Sequence, residues 1–174
     1  MRPIRVVLTG SECTGKTILA AALARHYRTI WVPEASRAYA EAKAGPLGYQ
    51  DVEPIARAHV AAEDEAAPRA YRLLILDTDL VSTVVYSHHY YDDCPEWVER
   101  AARERRGDLY LLHHPDLPWL PDPARDRGYL REHMHALFRR ALTELGARVV
   151  DIRGEGDERR QRAEGAIDEL LAGT

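Results

Sequence analysis

Between the apolar run IRVVL (Ile4–Leu8) and an Ala/Leu-rich stretch that begins near Lys16 lies the segment GSECTGKT, Gly10 to Thr17. No other feature of the chain limits its fold so tightly. The segment matches G-x-x-x-x-G-K-[ST] at every fixed position, and that pattern belongs where a strand ends and a helix begins. Gly10 and Gly15 permit backbone conformations closed to residues with a Cβ, so the N–H groups along Ser11, Glu12, Cys13 and Thr14 can turn inward on an anion. The helix that follows adds the positive end of its dipole. Lys16 is placed to reach the outer phosphates of a triphosphate, and the Thr17 hydroxyl to hold Mg²⁺. A glycine-bearing turn with no ligand is the bland alternative. It loses weight because lysine is scarce: Lys16 and Lys43 are the only two, in a chain whose other basic residues are arginine. Lys16 is expected to be exposed in this loop, so that Lys16→Ala would disturb folding little.

Around the loop, short β-rich runs alternate with longer helical patterns, which predicts stacked βαβ units on a parallel sheet. The strands are expected at Ile4–Leu8, Thr29–Val32, Leu73–Leu76, Leu109–Leu112 and Arg148–Ile152. Helices are expected from about Lys16 to Tyr27, Pro33 to Ala44, Asp51 to Glu65, Leu80 to Tyr91, Pro95 to Arg105 and Asp157 to Leu171. Asp51 and Asp79 serve as N-caps in this reading. The fold class is therefore α/β, a P-loop NTPase with a five-stranded parallel sheet flanked by helices on both faces. At 174 residues a single domain spanning 1–174 is expected. The proline-rich stretch His113 to Gly128 reads as a lid loop, about 115–131, because irregular segments that long in compact domains are usually lids or binding loops.

Charge and cysteine content narrow the partners. A formal net charge of −4 with mixed signs argues against a nucleic-acid or membrane surface. Two cysteines, Cys13 and Cys94, build no disulfide framework and suit a cytoplasmic protein. The histidine doublets His88–His89 and His113–His114, with His133 and His135, imply no zinc site, because such neighbours point apart on a helix. The run RAARERRGD reads as the end of a solvated helix.

The second half of a triphosphate site needs a carboxylate at the tip of a buried strand, and LLILDTD supplies Asp77 for Mg²⁺. Asp79 is explained equally by capping its helix. Glu34 and Arg37 in WVPEASRAY would share a helical face where parallel-sheet ligands bind. There the carboxylate could hold a sugar hydroxyl and act as general base, and the guanidinium could clamp phosphate; an intrahelical pair on a solvated face explains them as well. Arg125 and Arg127, with Arg131 beyond, suit the charge on a transferring phosphoryl group, or a solvated loop.

Taken together, GSECTGKT, PEASRAY, LDTDLVSTVVYS, the Trp97 region and PWLPDPARDRG resemble the nicotinamide riboside kinase domain of NadR-type proteins, in the same order through nearly the whole chain. The resemblance implies a P-loop kinase that uses ATP and Mg²⁺ to phosphorylate the 5′-hydroxyl of nicotinamide riboside, making nicotinamide mononucleotide for NAD synthesis. It marks Gly10 to Thr17, Glu34, Arg37, Asp77, Asp79, Trp119, Asp122 and Arg125. In roles, Lys16, Glu34, Asp77 and Arg125 are catalytic; Arg125 joins Gly10 to Thr17 on the nucleotide; Glu34, Arg37, Asp79, Trp119 and Asp122 bind the acceptor; Thr17 and Asp77 hold the metal. The chain departs from the family at Pro123, where a lid glycine is expected, and at Pro33, where an aromatic would stack on the pyridine ring. Tyr39, Tyr86, Tyr90, Tyr91 and Trp97 could replace that aromatic. A kinase for another nucleoside-like alcohol, or a P-loop ATP/GTP-binding regulatory protein without kinase activity, stays open. The absence of Asn removes the N-K-x-D guanine signature from the latter. Homo-oligomerisation is open too.

Overall fold

The computed structural model describes residues 2–43, 45–118 and 130–173. Five strands, β1 (Ile4–Thr9), β2 (Ile30–Val32), β3 (Leu73–Asp77), β4 (Leu109–His113) and β5 (Val149–Ile152), form one sheet in the order β2-β3-β1-β4-β5. Every pairing is parallel. The continuous apolar strands are explained by burial on both faces, and alternate residues sort them. Val7, Leu74, Leu76, Tyr110 and Leu112 point to one face, against Val81, Val85, Val98, Met134 and Phe138. Val6, Leu8, Ile75, Leu109 and Leu111 point to the other, against Leu19, Leu23, Ala163 and Ile167.

The helices described are α1 (Lys16–His26), α2 (Ala35–Lys43), α3 (Val52–Ala66), α4 (Leu80–Tyr91), α5 (Glu96–Glu104), α6 (Arg131–Glu144) and α7 (Asp157–Ala172). α1 and α7 cover the second face; α3 to α6 supply the first. The expected strands and helices are present within a residue or two at most ends. Helix α6 is an addition to the sequence reading, with Met134, Phe138 and Leu142 buried at intervals of four. Two details correct that reading. α2 starts at Ala35, and Pro33 and Glu34 form the connection between β2 and that helix. Asp51 stands at the N-terminus of α3 but makes no side-chain cap bond. Its carboxylate instead accepts from Lys43 Nζ at 2.5 Å, Gly48 N at 2.8 Å and the Tyr39 hydroxyl at 3.1 Å, tying α2 to the start of α3.

The RAARERRGD run is likewise more than a solvated end. Arg105 closes a network under α3, pairing with Asp64 and lying 3.6 Å from Glu63, whose carboxylate also pairs with Arg5 of β1. Glu63 is only 3 % exposed, a burial that needs both cations to offset desolvation.

Candidate active site

The C-terminal tips of β1, β3 and β4 meet at the centre of the sheet, and the Gly10–Thr17 loop lies there. Gly10 has φ 125° and Gly15 φ 78°. A Cβ on Gly10 would sit 2.8 Å from the His113 carbonyl oxygen at the end of β4, so glycine is required by space as well as by conformation. Cys13 also adopts a left-handed φ of 53°. The loop is braced internally: the Thr14 hydroxyl donates to the Ser11 carbonyl at 2.9 Å. Gly15 caps α1 without a side-chain bond, and the first turn of α1 carries no acidic residue. The helix end therefore keeps its N–H donors and positive potential for an anion.

Lys16 departs from expectation. It is 7 % exposed, and its ammonium donates to the Gly10 and Ser11 carbonyl oxygens at 3.1 and 2.7 Å. An ammonium has three protons to satisfy, and these carbonyls of its own loop lie within reach.

Asp77 ends β3, 1 % exposed, and accepts from the Thr17 hydroxyl at 2.6 Å. These two hard oxygen donors, one from each half of the expected metal pair, fit a Mg²⁺ ion, which takes few protein ligands and keeps its waters. Thr78 follows at φ 71°, a costly conformation for a β-branched residue. The kink is held by its N–H donating to the Leu8 carbonyl at 2.9 Å, and it separates the directions of the two aspartates. Asp79 turns away, capping α4 through Val81 N at 3.0 Å and accepting from the Tyr110 hydroxyl at 2.6 Å. Burial raises its pKa to about 6. Its observed partners are internal to the fold.

Glu34 precedes α2 and accepts from the Ser36 hydroxyl at 2.7 Å. Arg37 is exposed and donates to Glu41 at 3.2 Å; because the helix starts at Ala35, Glu34 stands ahead of it and the expected shared helical face is not formed. Trp119, Asp122 and Arg125, with Pro123, Arg127 and most of the expected lid, lie outside the described residues. Of the five candidate aromatics, Trp97 stacks under Arg57 at 4.7 Å, Tyr39 binds Asp51, and Tyr91 packs edge-on to Tyr49. Tyr86 and Tyr90 are different. Their rings stack at 5.9 Å and line a groove with Ser11, Glu12, Leu130, Arg131 and Met134, beside the phosphate loop.

Arg131, grouped in the sequence with the lid arginines, donates to the Cys13 carbonyl at 3.4 Å and the Leu117 carbonyl at 2.9 Å. Two contributors escape the sequence reading. Arg159 and His113 meet at the Thr14 carbonyl, at 2.9 and 2.8 Å. Arg159 had a legible signal: with Ala163 and Ile167 it marks the buried i, i+4, i+8 face of α7, where an arginine is out of place unless fully bonded. Histidines also meet across elements. His114, His135 and Asp151 bring potential ligand atoms within 4.8 Å of one another. Arg139 pairs with the same Asp151 oxygen, and Arg153 Nε lies 3.1 Å from His114 Nε2. Two guanidinium groups on those atoms make this a charge cluster, unfavourable for a divalent cation.

Comparison with known proteins agrees with this geometry. A family model described as AAA domain matches residues 5–159. The chain is 31 % identical over 127 residues to the trifunctional NAD biosynthesis/regulator protein NadR of Escherichia coli (strain K12), covering 71 % of this chain and 31 % of that protein. The relative from Salmonella typhimurium gives the same figures. The chain thus spans about a third of the length of these curated relatives. Among solved structures, NadR protein in complex with NR superposes with a TM-score of 0.79 at 27 % identity, over 96 % of this chain and 51 % of that one. NadR in complex with NAD and AMP-PNP gives 0.75 at 26 %, over 96 % and 49 %. Thymidylate kinase from Candida albicans, at 14 % identity and a TM-score of 0.64 over 98 % and 93 %, shares the fold. The NadR-type resemblance and the P-loop fold class read from the sequence are both upheld.

Proposed function

The chain belongs to the AAA domain family, and on that premise we propose that it is an ATP-dependent kinase that phosphorylates nicotinamide riboside to nicotinamide mononucleotide. The observation that carries the reading is one juxtaposition. The Gly10–Thr17 loop, with the Thr17–Asp77 pair at its end, shares a narrow surface hollow with the stacked Tyr86 and Tyr90, lined on the loop side by Ser11 and Glu12. A triphosphate cradle with paired aromatic rings beside it suits a donor nucleotide and an acceptor that carries a planar heterocycle on a ribose. The ligands of the NadR structures, NR in one and the ATP analogue AMP-PNP in the other, support the same pair of substrates here.

In this mechanism the loop N–H groups and the N-terminus of α1 hold the β- and γ-phosphates. Lys16 exchanges its loop carbonyls for phosphate oxygens, and the charge spreading over the transferring group is met by donors already in place. Thr17 and Asp77 would hold Mg²⁺, which supplies charge neutralisation on the phosphate oxygens. Glu34 accepts the proton of the attacking hydroxyl and holds a ribose hydroxyl. Arg37, Trp119, Asp122 and Arg125 are assigned to the acceptor and the transferring phosphate on the family resemblance. Tyr86 and Tyr90 take the stacking role that Pro33 cannot.

Pro33 favours a second reading, a kinase for another nucleoside-like alcohol. ADP release measured against a panel of nucleosides decides between them. Nicotinamide riboside is expected to give the highest kcat/KM, and its 2′- and 3′-deoxy analogues roughly tenfold less or lower, because a carboxylate left short of a donor costs ~1–3 kcal/mol. A different nucleoside at the head of the panel replaces the substrate, and no turnover with any of them removes the kinase.

A further inference from the structure

We propose that Arg159 is a positioning residue that fixes the Thr14–Gly15 peptide so that the Gly15 N–H faces bound phosphate. The inference rests on the P-loop reading above, and extends it to a residue outside the loop. Arg159 stands near the start of α7 and is 5 % exposed. Its guanidinium joins three segments that are distant in sequence. Nη1 donates to the Thr14 carbonyl at 2.9 Å, Nε to the Gly154 carbonyl at 2.6 Å, and Nη2 to the His114 carbonyl at 3.1 Å. Nη2 also pairs with the Asp116 carboxylate.

The consequence follows from peptide geometry. In a planar trans peptide the C=O of one residue and the N–H of the next point in opposite directions. A donor that holds the Thr14 carbonyl on the outer side of the loop therefore turns the Gly15 N–H to the inner side. That peptide needs holding. Gly15 sits at φ 78°, and a glycine there lets the preceding peptide rotate at little steric cost. His113 supports the same carbonyl, its Nδ1 2.8 Å from Thr14 O, while fully buried. Arg131 repeats the device one residue earlier by donating to the Cys13 carbonyl. A guanidinium suits the task because its fork is rigid and cannot lose its charge, and Asp116, itself exposed at the surface, pairs with the buried guanidinium from outside.

The test compares Arg159→Met, which keeps length and loses every donor, with Arg159→Lys, which keeps charge and loses the fork. Binding of Mg²⁺·ATP is measured by titration calorimetry, and the amide resonance of Gly15 is followed by NMR in the free proteins. Arg159→Met is expected to bind at least tenfold more weakly, with the Gly15 amide shifted or broadened. In turnover the KM for ATP should rise while the KM for nicotinamide riboside stays within twofold. Arg159→Lys should fall between Arg159→Met and wild type, and carries the test alone if Arg159→Met does not fold. A folded variant with wild-type affinity and an unmoved Gly15 resonance overturns the proposal. Wild-type protein that binds ATP but leaves nicotinamide riboside untouched refutes the substrate reading only, since the binding and NMR arms still decide the role of Arg159. Wild-type protein that binds no nucleoside triphosphate overturns both.

Discussion

Each residue of the phosphate loop carries two obligations, one to the fold and one to the ligand, and Lys16 shows how they compete. Its ammonium is buried on the Gly10 and Ser11 carbonyls, so Lys16→Ala removes structural hydrogen bonds as well as a phosphate donor. Bonds to a charged group are worth ~1.5–3 kcal/mol, offset in part by relief of the buried charge. The variant is expected to melt at a lower temperature, by roughly 1 kcal/mol of stability, and to lose transfer by about 10²-fold or more, the cost of deleting one well-placed electrostatic donor. Thermal unfolding and ADP release check the two effects separately, and unchanged turnover would take Lys16 out of the chemistry. At Asp77 the obligations separate differently. Asp77→Asn keeps an oxygen for the Thr17 hydroxyl but loses the charge a hard cation requires. A Mg²⁺ titration should need at least several-fold more metal for half-maximal rate, with a lower plateau. A wild-type metal response would leave Asp77 as a strand-end residue that merely fixes Thr17.

Elements built from continuous apolar runs were legible because both faces of the sheet are buried, so strands β1, β3 and β4 needed no alternation to declare themselves. What escaped reading depends on contacts between elements. The cap of α3 failed because Asp51 is drawn to Lys43 and Tyr39 of α2. The shared helical face expected of Glu34 and Arg37 failed because α2 begins at Ala35, two residues later than Pro33 suggested, which leaves Glu34 ahead of the helix. The loop residues Gly10 to Thr17 and the strand-tip Asp77 could be read, since motif and context sit in one local stretch. Arg159, His113 and Tyr110 could not be placed, because their partners lie far along the chain. Asp79 shows an element-level consequence. Its cap on α4 can be kept by Asn, whereas Tyr110 loses a charged acceptor, so Asp79→Asn is expected to cost about 1–2 kcal/mol and Asp79→Ala somewhat more. With only an internal role, Asp79→Asn at a temperature well below its melting point should keep kcat/KM within about threefold. A larger loss in a folded variant would assign Asp79 to the acceptor after all.

Across the whole molecule, buried titratable groups set the response to acid, and they pull in opposite directions. His59 lies on the buried face of α3, 2 % exposed; burial, with Arg5 and Arg105 nearby, lowers its pKa to about 4. His113 is fully buried against the phosphate loop, and burial lowers it to about 3. Both are neutral in the folded protein, whereas the unfolded chain takes up their protons near pH 6.5. Their contribution to stability is complete above that pH and is lost as pH falls toward 4. Asp79 acts the other way. Its folded pKa of about 6 lies above the ordinary value near 3.9, so between those limits the folded state binds the extra proton and gains stability as pH falls. The two histidines favour the unfolded chain and Asp79 the folded one; His135, lowered by burial, and Asp51, lowered by its bond to Lys43, act with the histidines. Stability should therefore decline as pH falls from 6 to 4. Two variants separate the contributions. His59→Leu removes one of the opposing histidines and should make the decline shallower by up to about 1.4 kcal/mol per unit, at little cost at pH 7, where an apolar side chain replaces a neutral buried ring. Asp79→Asn removes the compensating carboxyl and should steepen the decline by up to about 1.4 kcal/mol per unit. Urea unfolding at half-unit pH steps on the three proteins measures the slopes. Equal slopes in wild type and His59→Leu would mean that His59 gains its proton without unfolding, and that the network of Arg5, Glu63 and Arg105 opens to admit it.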